Sequence, residues 1–114
     1  MAKYIMAVRS NPAPGREAEF NEWYDRFLLP QMVRSPNLVS GQRYRVATAS
    51  LPAGLQKPQH EYLAVYEIET DNLQQTVQQL WSTENMARIQ PSTALDYSNV
   101  DCQFYVPIGG KITR

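Results

Sequence analysis

An α+β fold is predicted, in which one four-stranded antiparallel sheet is covered on one face by two helices. Three observations support this fold class. Four stretches alternate apolar and polar residues, two longer stretches repeat apolar residues at helical spacing, and turn residues separate them. Their order is βαββαβ, which in a chain of 114 residues is most economically a ferredoxin-like sandwich.

The size and composition of the chain fit one domain over residues 1–114. Apolar residues make up 43% and charged residues 19%, the balance of a globular domain that folds without disulfides or metals. The 11 basic and 11 acidic residues cancel, which argues against nucleic acid, and no apolar run reaches the roughly 20 residues that span a bilayer. The single Cys102 and an N-terminus without signal-peptide features favour a cytoplasmic protein with no metal site.

The segment from Gly15 to Pro30 is predicted to form one amphipathic helix, to which the other inferences are tied. Pro14 precedes its start, and Pro30 is expected to end it. The inward face consists of Phe20, Trp23, Tyr24, Phe27 and Leu28. Because Asn21 borders this face and Tyr24 adds a hydroxyl to it, the helix is expected to line a pocket.

The remaining elements are defined by turn residues and apolar spacing. Four strands are predicted, over residues 3–9, 38–48, 60–69 and 100–106. The second helix is expected to begin at Asp71 as its N-cap, and a shorter helix is expected over about 83–90. Residues 50–59 contain two prolines and a glycine, and they form either a lid or a simple connection.

Strict alternation along the predicted strands divides the sheet into two faces. The face expected to meet the helices carries Tyr4, Met6, Val8, Tyr44, Val46, Tyr62, Ala64, Tyr66, Ile68, Cys102, Phe104 and Val106. The opposite face is expected to carry Ile5, Ala7, Leu63, Val65 and Tyr105 with Arg9, Arg43, Arg45, Glu67 and Gln103. Because this second face is too apolar to be left to water, a partner subunit is its natural cover, and a homodimer is predicted.

Five motifs, spread over most of the chain, carry a family resemblance. They are Pro14-Gly-Arg-Glu17, Glu19-Phe-Asn-Glu-Trp-Tyr-Asp25, Leu29-Pro30, Arg43-Tyr-Arg45 and Tyr62-Leu-Ala-Val-Tyr-Glu67. Together they resemble the dimeric α+β barrel superfamily, and within it the proteins near the ethyl tert-butyl ether degradation (EthD-like) family. The resemblance implies two ferredoxin-like subunits that join their sheets into a barrel, with a pocket in each subunit between sheet and helices.

The resemblance leaves two functions of different classes open, because the superfamily includes cofactor-free monooxygenases, isomerases, polyketide cyclases and proteins without known activity. The first is a cofactor-independent enzyme acting on a small apolar or aromatic molecule. The second is a non-catalytic binding or scaffold protein with the same pocket. An RNA-recognition module shares the βαββαβ order, but residues 60–69 lack its glycine-aromatic motif.

Tyr24 and Tyr66 are the candidate catalytic residues, because their hydroxyls could orient or protonate a substrate oxygen. The candidate substrate-binding residues are Asn21, Trp23, Leu28, Tyr44, Trp81 and Arg43. The pocket is expected between the first helix and the sheet, with the 50–59 loop near its mouth. Core packing is the alternative for each aromatic ring.

The charged and titratable residues support no further catalytic motif. Arg43 and Arg45 could hold a carboxylate together, or they could pair with Glu67 at an interface. His60 is expected at the surface and Cys102 as a small buried thiol. Superfamily members with motifs similar to these commonly carry a histidine before the Leu-Pro pair, where this chain has Leu28. Any chemistry is therefore expected to rest on tyrosine hydroxyls, positioning and exclusion of water, without metal or cofactor.

Overall fold

The computed structural model describes residues 1–114 and confirms an antiparallel sheet with helices on one face. The four strands are β1 (Ala2–Ser10), β2 (Leu38–Arg45), β3 (Tyr62–Thr70) and β4 (Asp101–Tyr105). Their order across the sheet is β2-β3-β1-β4, and every neighbouring pair is antiparallel. This is the strand order of the predicted ferredoxin-like sandwich.

The helical layer contains more pieces than the two longer helices and the one shorter helix that were predicted. It consists of α1 (Glu17–Trp23), a π-helical turn (Tyr24–Leu28), α2 (Leu29–Val33), α3 (Leu73–Leu80) and α4 (Thr83–Ala87). None of these helices is long and apolar enough to cross a membrane. The first three follow one another without a break, so the first helical segment is longer than expected.

The prediction that Pro30 ends the first helix is wrong. The N–H of Leu29 donates to the carbonyl of Tyr24, five residues back, which widens the helix to a π turn. Pro30 then lies in the first turn of α2, where a missing N–H and a fixed φ are tolerated. The helix therefore runs on to Val33.

The second helix begins one residue later than predicted. Asn72, rather than Asp71, caps α3, because the Asn72 side chain accepts a hydrogen bond of 3.0 Å from the N–H of Gln75. The turn before it is fixed by Thr70, whose hydroxyl accepts from the N–H of Asn72 at 3.1 Å. This bond leaves Asn72, not its neighbour, in the extended conformation that a cap requires.

A β-bulge in β2 reverses the faces predicted for that strand. Leu38 lies opposite Ile68, but Ser40 lies opposite Glu67, so Val39 is the extra residue. Since opposed residues share a face, Arg43 and Arg45 are in register with the helix-facing residues Ala64 and Tyr62, whereas Tyr44 lies opposite Leu63 on the open face. The predicted faces of Tyr44, Arg43 and Arg45 are therefore wrong. The faces predicted for the other three strands agree with the observed register.

The bulge brings Gly41 beneath α2, where only a glycine fits. A Cβ at this position would lie 2.9 Å from Val33 Cγ2, 3.0 Å from Tyr66 Cδ1 and 3.1 Å from Leu29 Cδ1. The helix can approach β2 this closely because Gly41 has no side chain. The close approach thus depends on the strand register that the bulge sets.

Gly41→Ala is expected to lower the free energy of unfolding by about 1–3 kcal/mol, because overpacking forces shifts in well-packed neighbours. Urea unfolding of the two proteins measures the difference. Gly110→Ala is the matched control, since nothing lies within 4 Å of a Cβ added there. Equal midpoints for the Gly41 and Gly110 variants would contradict the packing argument.

Candidate small-molecule site

An apolar cavity of about 250 Å³ lies between the helices and the sheet, on the side of β1 and β4. The sheet contributes Met6, Val8, Tyr66 and Cys102, and the first helical segment contributes Trp23, Tyr24, Leu28 and Met32. Of the 16 lining residues, 15 are hydrophobic and the other is Pro91. No charged side chain and no amide lines the cavity, so it favours a neutral and largely apolar occupant.

The outer wall of the cavity comes from the segment between α3 and β4. This segment and the end of α3 contribute Leu80, Trp81, Met86, Ile89, Pro91, Leu95, Tyr97 and Val100. It is attached to the loop after β1, because the N–H of Ala13 donates to the carbonyl of Ala94 at 2.6 Å and Pro12 forms a bridge with Leu95. The Trp23 indole donates to the carbonyl of Gln90 at 3.2 Å. These contacts hold the wall against the first helix.

The sequence predicted this wall only in part. Trp81 is one of the predicted substrate-binding residues, but neither a helix nor a strand is predicted over residues 92–99. The sequence hints at this wall only through the widely spaced apolar residues Ile89, Leu95, Tyr97 and Val100. Their spacing is neither that of a helix nor that of a strand. Only the attachment to the loop after β1 brings these side chains onto the cavity.

Tyr24 and Tyr66 are the two buried tyrosines of the cavity lining, whereas the third, Tyr97, is exposed. Burial raises the pKa of both phenols. The adjacent Tyr24 raises the pKa of Tyr66 further, whereas Tyr66 and the charge of Arg43 oppose the rise for Tyr24. Both groups are therefore protonated near neutral pH and can donate hydrogen bonds, but they cannot serve as bases there.

Cys102 lines the same cavity. Burial raises the pKa of its thiol, and the nearby charge of Asp101 acts in the same direction. The thiol is therefore protonated and a poor nucleophile. This is the inert, partly buried state that was expected for the single cysteine.

Arg43 lies behind Tyr24 and outside the apolar cavity. Its guanidinium carbon is 4.4 Å from the centroid of the Tyr24 ring, and the rings of Tyr62 and Phe20 lie at 5.2 and 5.4 Å. It donates to Asp25 Oδ1 at 2.7 Å and to Asn21 Oδ1 at 2.9 Å. The Arg43 side chain is only 11% exposed, so these groups hold its charge inside the helix–sheet layer.

These contacts also show which of the roles predicted for Arg43 and Asn21 the structure supports. Arg43 pairs with Asp25, while Glu67 lies opposite Ile5 on the open face, so the predicted pairing of Arg43 with Glu67 does not occur. Asn21 uses its oxygen for Arg43 and its amide for the Tyr62 hydroxyl at 3.1 Å. Neither residue lines the cavity, and both position the Tyr24 ring instead.

The structure brings together five of the eight candidate site residues. The five that line one cavity are Trp23, Tyr24, Leu28, Tyr66 and Trp81. Tyr44 does not join them, because it lies on the open face and is 47% exposed. The β2 bulge, which alternation alone cannot reveal, is the physical reason for this error.

The loop over residues 50–59 does not line the cavity, contrary to the prediction that it lies near the mouth. Its last residues line a separate, polar groove of about 580 Å³ at one end of the sheet, together with Arg9, Tyr44 and His60. His60 Nε2 lies 2.9 Å from Asn99 Oδ1 in this region. The only histidine of the chain therefore lies apart from the two phenols.

Raised phenol pKa values predict how stability depends on pH. In the unfolded chain a tyrosine ionises near pH 10, whereas the folded state holds the pKa of Tyr24 and Tyr66 above this value. Below about pH 10 both states are protonated, and above it the unfolded state loses protons first, so stability falls. The expected slope is up to about 1.4 kcal/mol per pH unit for each tyrosine. Urea unfolding of the wild type and of Tyr66→Phe between pH 8 and 11 tests this dependence. The free energy of unfolding should fall less steeply with pH in Tyr66→Phe. Identical slopes for the two proteins would contradict a raised pKa for Tyr66.

The residues that line the cavity determine which chemistry it can support. The cavity can enclose an apolar ring system and offer two phenol donors to an oxygen of the ligand. Its lining contains no histidine and no acidic residue. No cluster of three or more histidine, cysteine or acidic side chains that could hold a metal ion is formed.

Comparison with solved structures supports the fold. No family model matches the sequence, and no curated protein matches it. An EthD family protein from Bacillus halodurans aligns with a TM-score of 0.63 at 14% identity, over 95% of this chain and 100% of that chain. A DABB family protein with a ferredoxin-like fold from Mesorhizobium loti aligns with a TM-score of 0.57 at 10% identity, over 96% and 100%.

SnoaB, a cofactor-independent oxygenase from Streptomyces nogalater, aligns with a TM-score of 0.55 at 12% identity, over 96% of this chain and 97% of that chain. At such identities the similarity describes the backbone and not the reaction. The chain therefore has a ferredoxin-like fold, and an EthD family protein and a DABB family protein are among the structures it resembles.

Proposed function

We propose that this protein is a homodimer in which each subunit binds a small, neutral, aromatic or polyketide-like molecule and converts it without a cofactor. The observation that carries the proposal is the cavity lining, in which two protonated phenols are placed among apolar side chains. The fold similarity to a cofactor-independent oxygenase agrees with it. A cytoplasmic location accompanies the proposal as an expectation from the single cysteine.

The proposed mechanism rests on the two phenols. A ligand carbonyl or enol oxygen placed beside the two buried phenols accepts hydrogen bonds from Tyr24 and Tyr66. These donors stabilise negative charge that develops on that oxygen, and they are effective because the apolar wall excludes water. Arg43, whose charge lies behind the Tyr24 ring, keeps that ring in place and favours the same charge distribution.

Binding of matched aromatic probes tests the ligand class. Trp23 and Trp81 both line the cavity, so quenching of tryptophan fluorescence reports occupation. We expect 2-naphthol to bind at least about tenfold more tightly than 2-naphthoate, because no cation in the cavity compensates for a buried carboxylate. Val100→Trp, at the cavity rim, should block binding of both probes. Tighter binding of the naphthoate would contradict the proposed ligand class.

Tyr24→Phe is expected to lower turnover of an identified substrate by about 10²-fold or more while leaving its affinity nearly unchanged, because one oxyanion donor is lost. His60→Ala, outside the cavity lining, is the control and should keep turnover within about twofold. The rate should lack an essential ionisation near about 6.5, the usual value for histidine. A collapse of turnover in His60→Ala, with stability unchanged, would place the active centre in the polar groove instead.

Binding without catalysis is the second candidate function, and Leu28 favours it. This residue lines the cavity at the position where similar proteins commonly carry histidine, and the lining contains no histidine elsewhere. Mass spectrometry of the molecule retained after purification, repeated after incubation in air, separates the two functions. An unchanged ligand in every preparation would support the binding protein and exclude the enzyme for that ligand.

A further inference from the structure

A second pocket, the outer polar pocket, has a volume of about 480 Å³ and lies in the helical layer where the end of α2 meets α3 and α4. One of its seven lining residues is Pro36, and the other six are polar or charged: Arg34, Gln79, Ser82, Glu84, Asn85 and Arg88. It shares no residue with the apolar cavity and takes none from the strands. Its chemistry is therefore independent of the proposed reaction and of the proposed dimer.

The guanidinium of Arg88 is held at the outer polar pocket by uncharged groups. It donates to the side-chain oxygens of Gln31 and Asn85 at 3.2 and 2.5 Å, and to the Ser35 hydroxyl at 3.4 Å. Asn85 is itself buried and fixed, because its amide donates to the Leu80 carbonyl at 2.9 Å. Arg88 is thus oriented without a carboxylate that would neutralise its charge.

Arg34 brings a second guanidinium to the same pocket, from the exposed C-cap of α2. The ion pairs of this protein include neither Arg34 nor Arg88, and Glu84 is also outside them. Because arginine is always charged, two guanidiniums face one carboxylate and the pocket has a net positive charge. This charge favours an anion, and the forked N–H groups of a guanidinium match the oxygens of a phosphate group.

Gln79 supplies an acceptor that has no donor within the chain. Its side-chain oxygen is buried without a hydrogen-bond partner, and a buried acceptor in this state is unfavourable. The terminal torsion of a glutamine is soft. Since the Gln79 oxygen loses no hydrogen bond when the amide rotates, it can turn to a donor on a ligand.

The acceptors of the pocket indicate what accompanies the phosphate group. The Glu84 carboxylate and the Gln79 oxygen need donors, which hydroxyl groups provide without adding positive charge to the ligand. An ammonium group would also donate, but a zwitterion has no net charge to complement a positive pocket. No apolar side chain other than that of Pro36 lines the pocket, so an alkyl chain or an apolar ring finds no complementary surface.

We propose that the outer polar pocket binds a small phosphorylated polyol, such as a glycerol phosphate or a sugar phosphate. Arg34 and Arg88 hold the phosphate group, and Gln79 and Glu84 accept hydrogen bonds from the hydroxyls of the ligand. This site goes beyond the proposed function, because it lies outside the cavity in which that function is placed.

Isothermal titration calorimetry with glycerol 3-phosphate tests the ligand class. We expect the ester to bind at least about fivefold more tightly than inorganic phosphate, because only the ester carries hydroxyls for the two acceptors. Glycerol alone, which lacks the anion, should give no heat of binding. Equal affinities of the ester and inorganic phosphate would overturn the proposal. Tighter binding of free serine than of the ester would identify a site for a zwitterion and overturn it as well.

Arg34→Gln tests whether the anion binds in this pocket. The variant should weaken binding of glycerol 3-phosphate at least about tenfold, because one of two guanidiniums is lost. The matched control is Arg26→Gln, which removes the same charge from an exposed position outside the pocket and should keep the affinity within about twofold. Arg34 is exposed and forms no ion pair, so thermal unfolding should show that the variant folds. Equal affinities of the two variants would overturn the site.

Gln79→Leu tests the recognition of the hydroxyls separately from that of the phosphate. It keeps the size of the side chain and removes an acceptor that no group within the chain satisfies, so the fold should be retained. The variant should lose the about fivefold preference for the ester and keep its affinity for inorganic phosphate within about twofold. An unchanged preference in Gln79→Leu would contradict the assignment.

Amide chemical shifts locate the bound probe by a second, independent measurement. On titration with glycerol 3-phosphate, the amides of Arg34, Ser82 and Glu84 should shift. The polar groove at the end of the sheet also carries cationic side chains, among them Arg45 and Lys57. Shifts confined to that groove would place the anion there and overturn the inference, while leaving the proposed function of the apolar cavity untouched.

Discussion

Val65→Asp is expected to convert the proposed homodimer to a monomer at micromolar concentration. Val65 lies at the middle of the open face, opposite Ala7 of β1 and Gln42 of β2. In a symmetric interface one substitution introduces two carboxylates, and each would lose water without gaining a cation. The expected cost is at least about 3 kcal/mol, or more than about a hundredfold in the dimerisation constant.

Sedimentation velocity measures the change, with Gln78→Asp as the control. Gln78 is exposed on α3, on the opposite side of the molecule, so the same change of charge should leave the dimer intact there. Thermal unfolding at low concentration checks that the Val65 variant still folds. A folded Val65→Asp protein that remains dimeric would show that the open face is not the interface.

Phe20→Ala is expected to lower the free energy of unfolding by about 3–5 kcal/mol, a large part of the stability of a small domain. Phe20 is fully buried on α1. Its ring centroid lies 5.5 Å from that of Tyr24 in an edge-on arrangement and 5.1 Å from that of Tyr62. Loss of the ring therefore leaves a cavity at the point where the helix, β3 and Arg43 meet.

Phe20→Leu is the matched variant, because it keeps most of the apolar volume and removes the aromatic contacts. It should cost only about 1–2 kcal/mol, of which the lost ring–ring interactions account for a good part. Urea unfolding of the three proteins measures the series. If Phe20→Ala costs less than about 1 kcal/mol, then this aromatic cluster does not hold the first helix on the sheet.

Much of the fold is determined by local patterns that the sequence shows directly. Alternation placed Met6, Tyr66 and Ile68 on the helix-facing side, and all three are buried in the core. Helical spacing identified the inward ring of Tyr24 and its neighbours, and these line the cavity. Such patterns can be recognised because a strand or a helix repeats its faces over a fixed number of residues.

The β2 bulge shows where local patterns fail. One extra residue, Val39, exchanges the faces of Arg43 and Tyr44, and nothing in the sequence of β2 alone marks that position. The exchange is favourable because it puts Gly41 under α2 and lets Arg43 reach Asn21 and Asp25. These gains depend on the packing of a helix against the strand, which is a tertiary interaction.

The first helix shows the same limit. The sequence predicts Pro30 to be a stop signal, and proline is indeed placed in the first turn of a helical piece. The π turn before it, in which the Leu29 N–H donates to the Tyr24 carbonyl, continues the axis, and Leu29 and Val33 then pack over Gly41 of β2. Tertiary packing therefore decides that the helix extends to Val33.

By itself, the sequence determined the βαββαβ order, the two faces of three strands and the aromatic inner face of the first helix, since each follows from a short periodic pattern. Only the tertiary structure decided the face of β2, the isolation of Arg43 behind Tyr24 and the outer wall over residues 89–100. Each of these depends on contacts between residues far apart in the chain. Their energies enter only when the elements pack, because only packing fixes which register and which neighbours a strand or loop has.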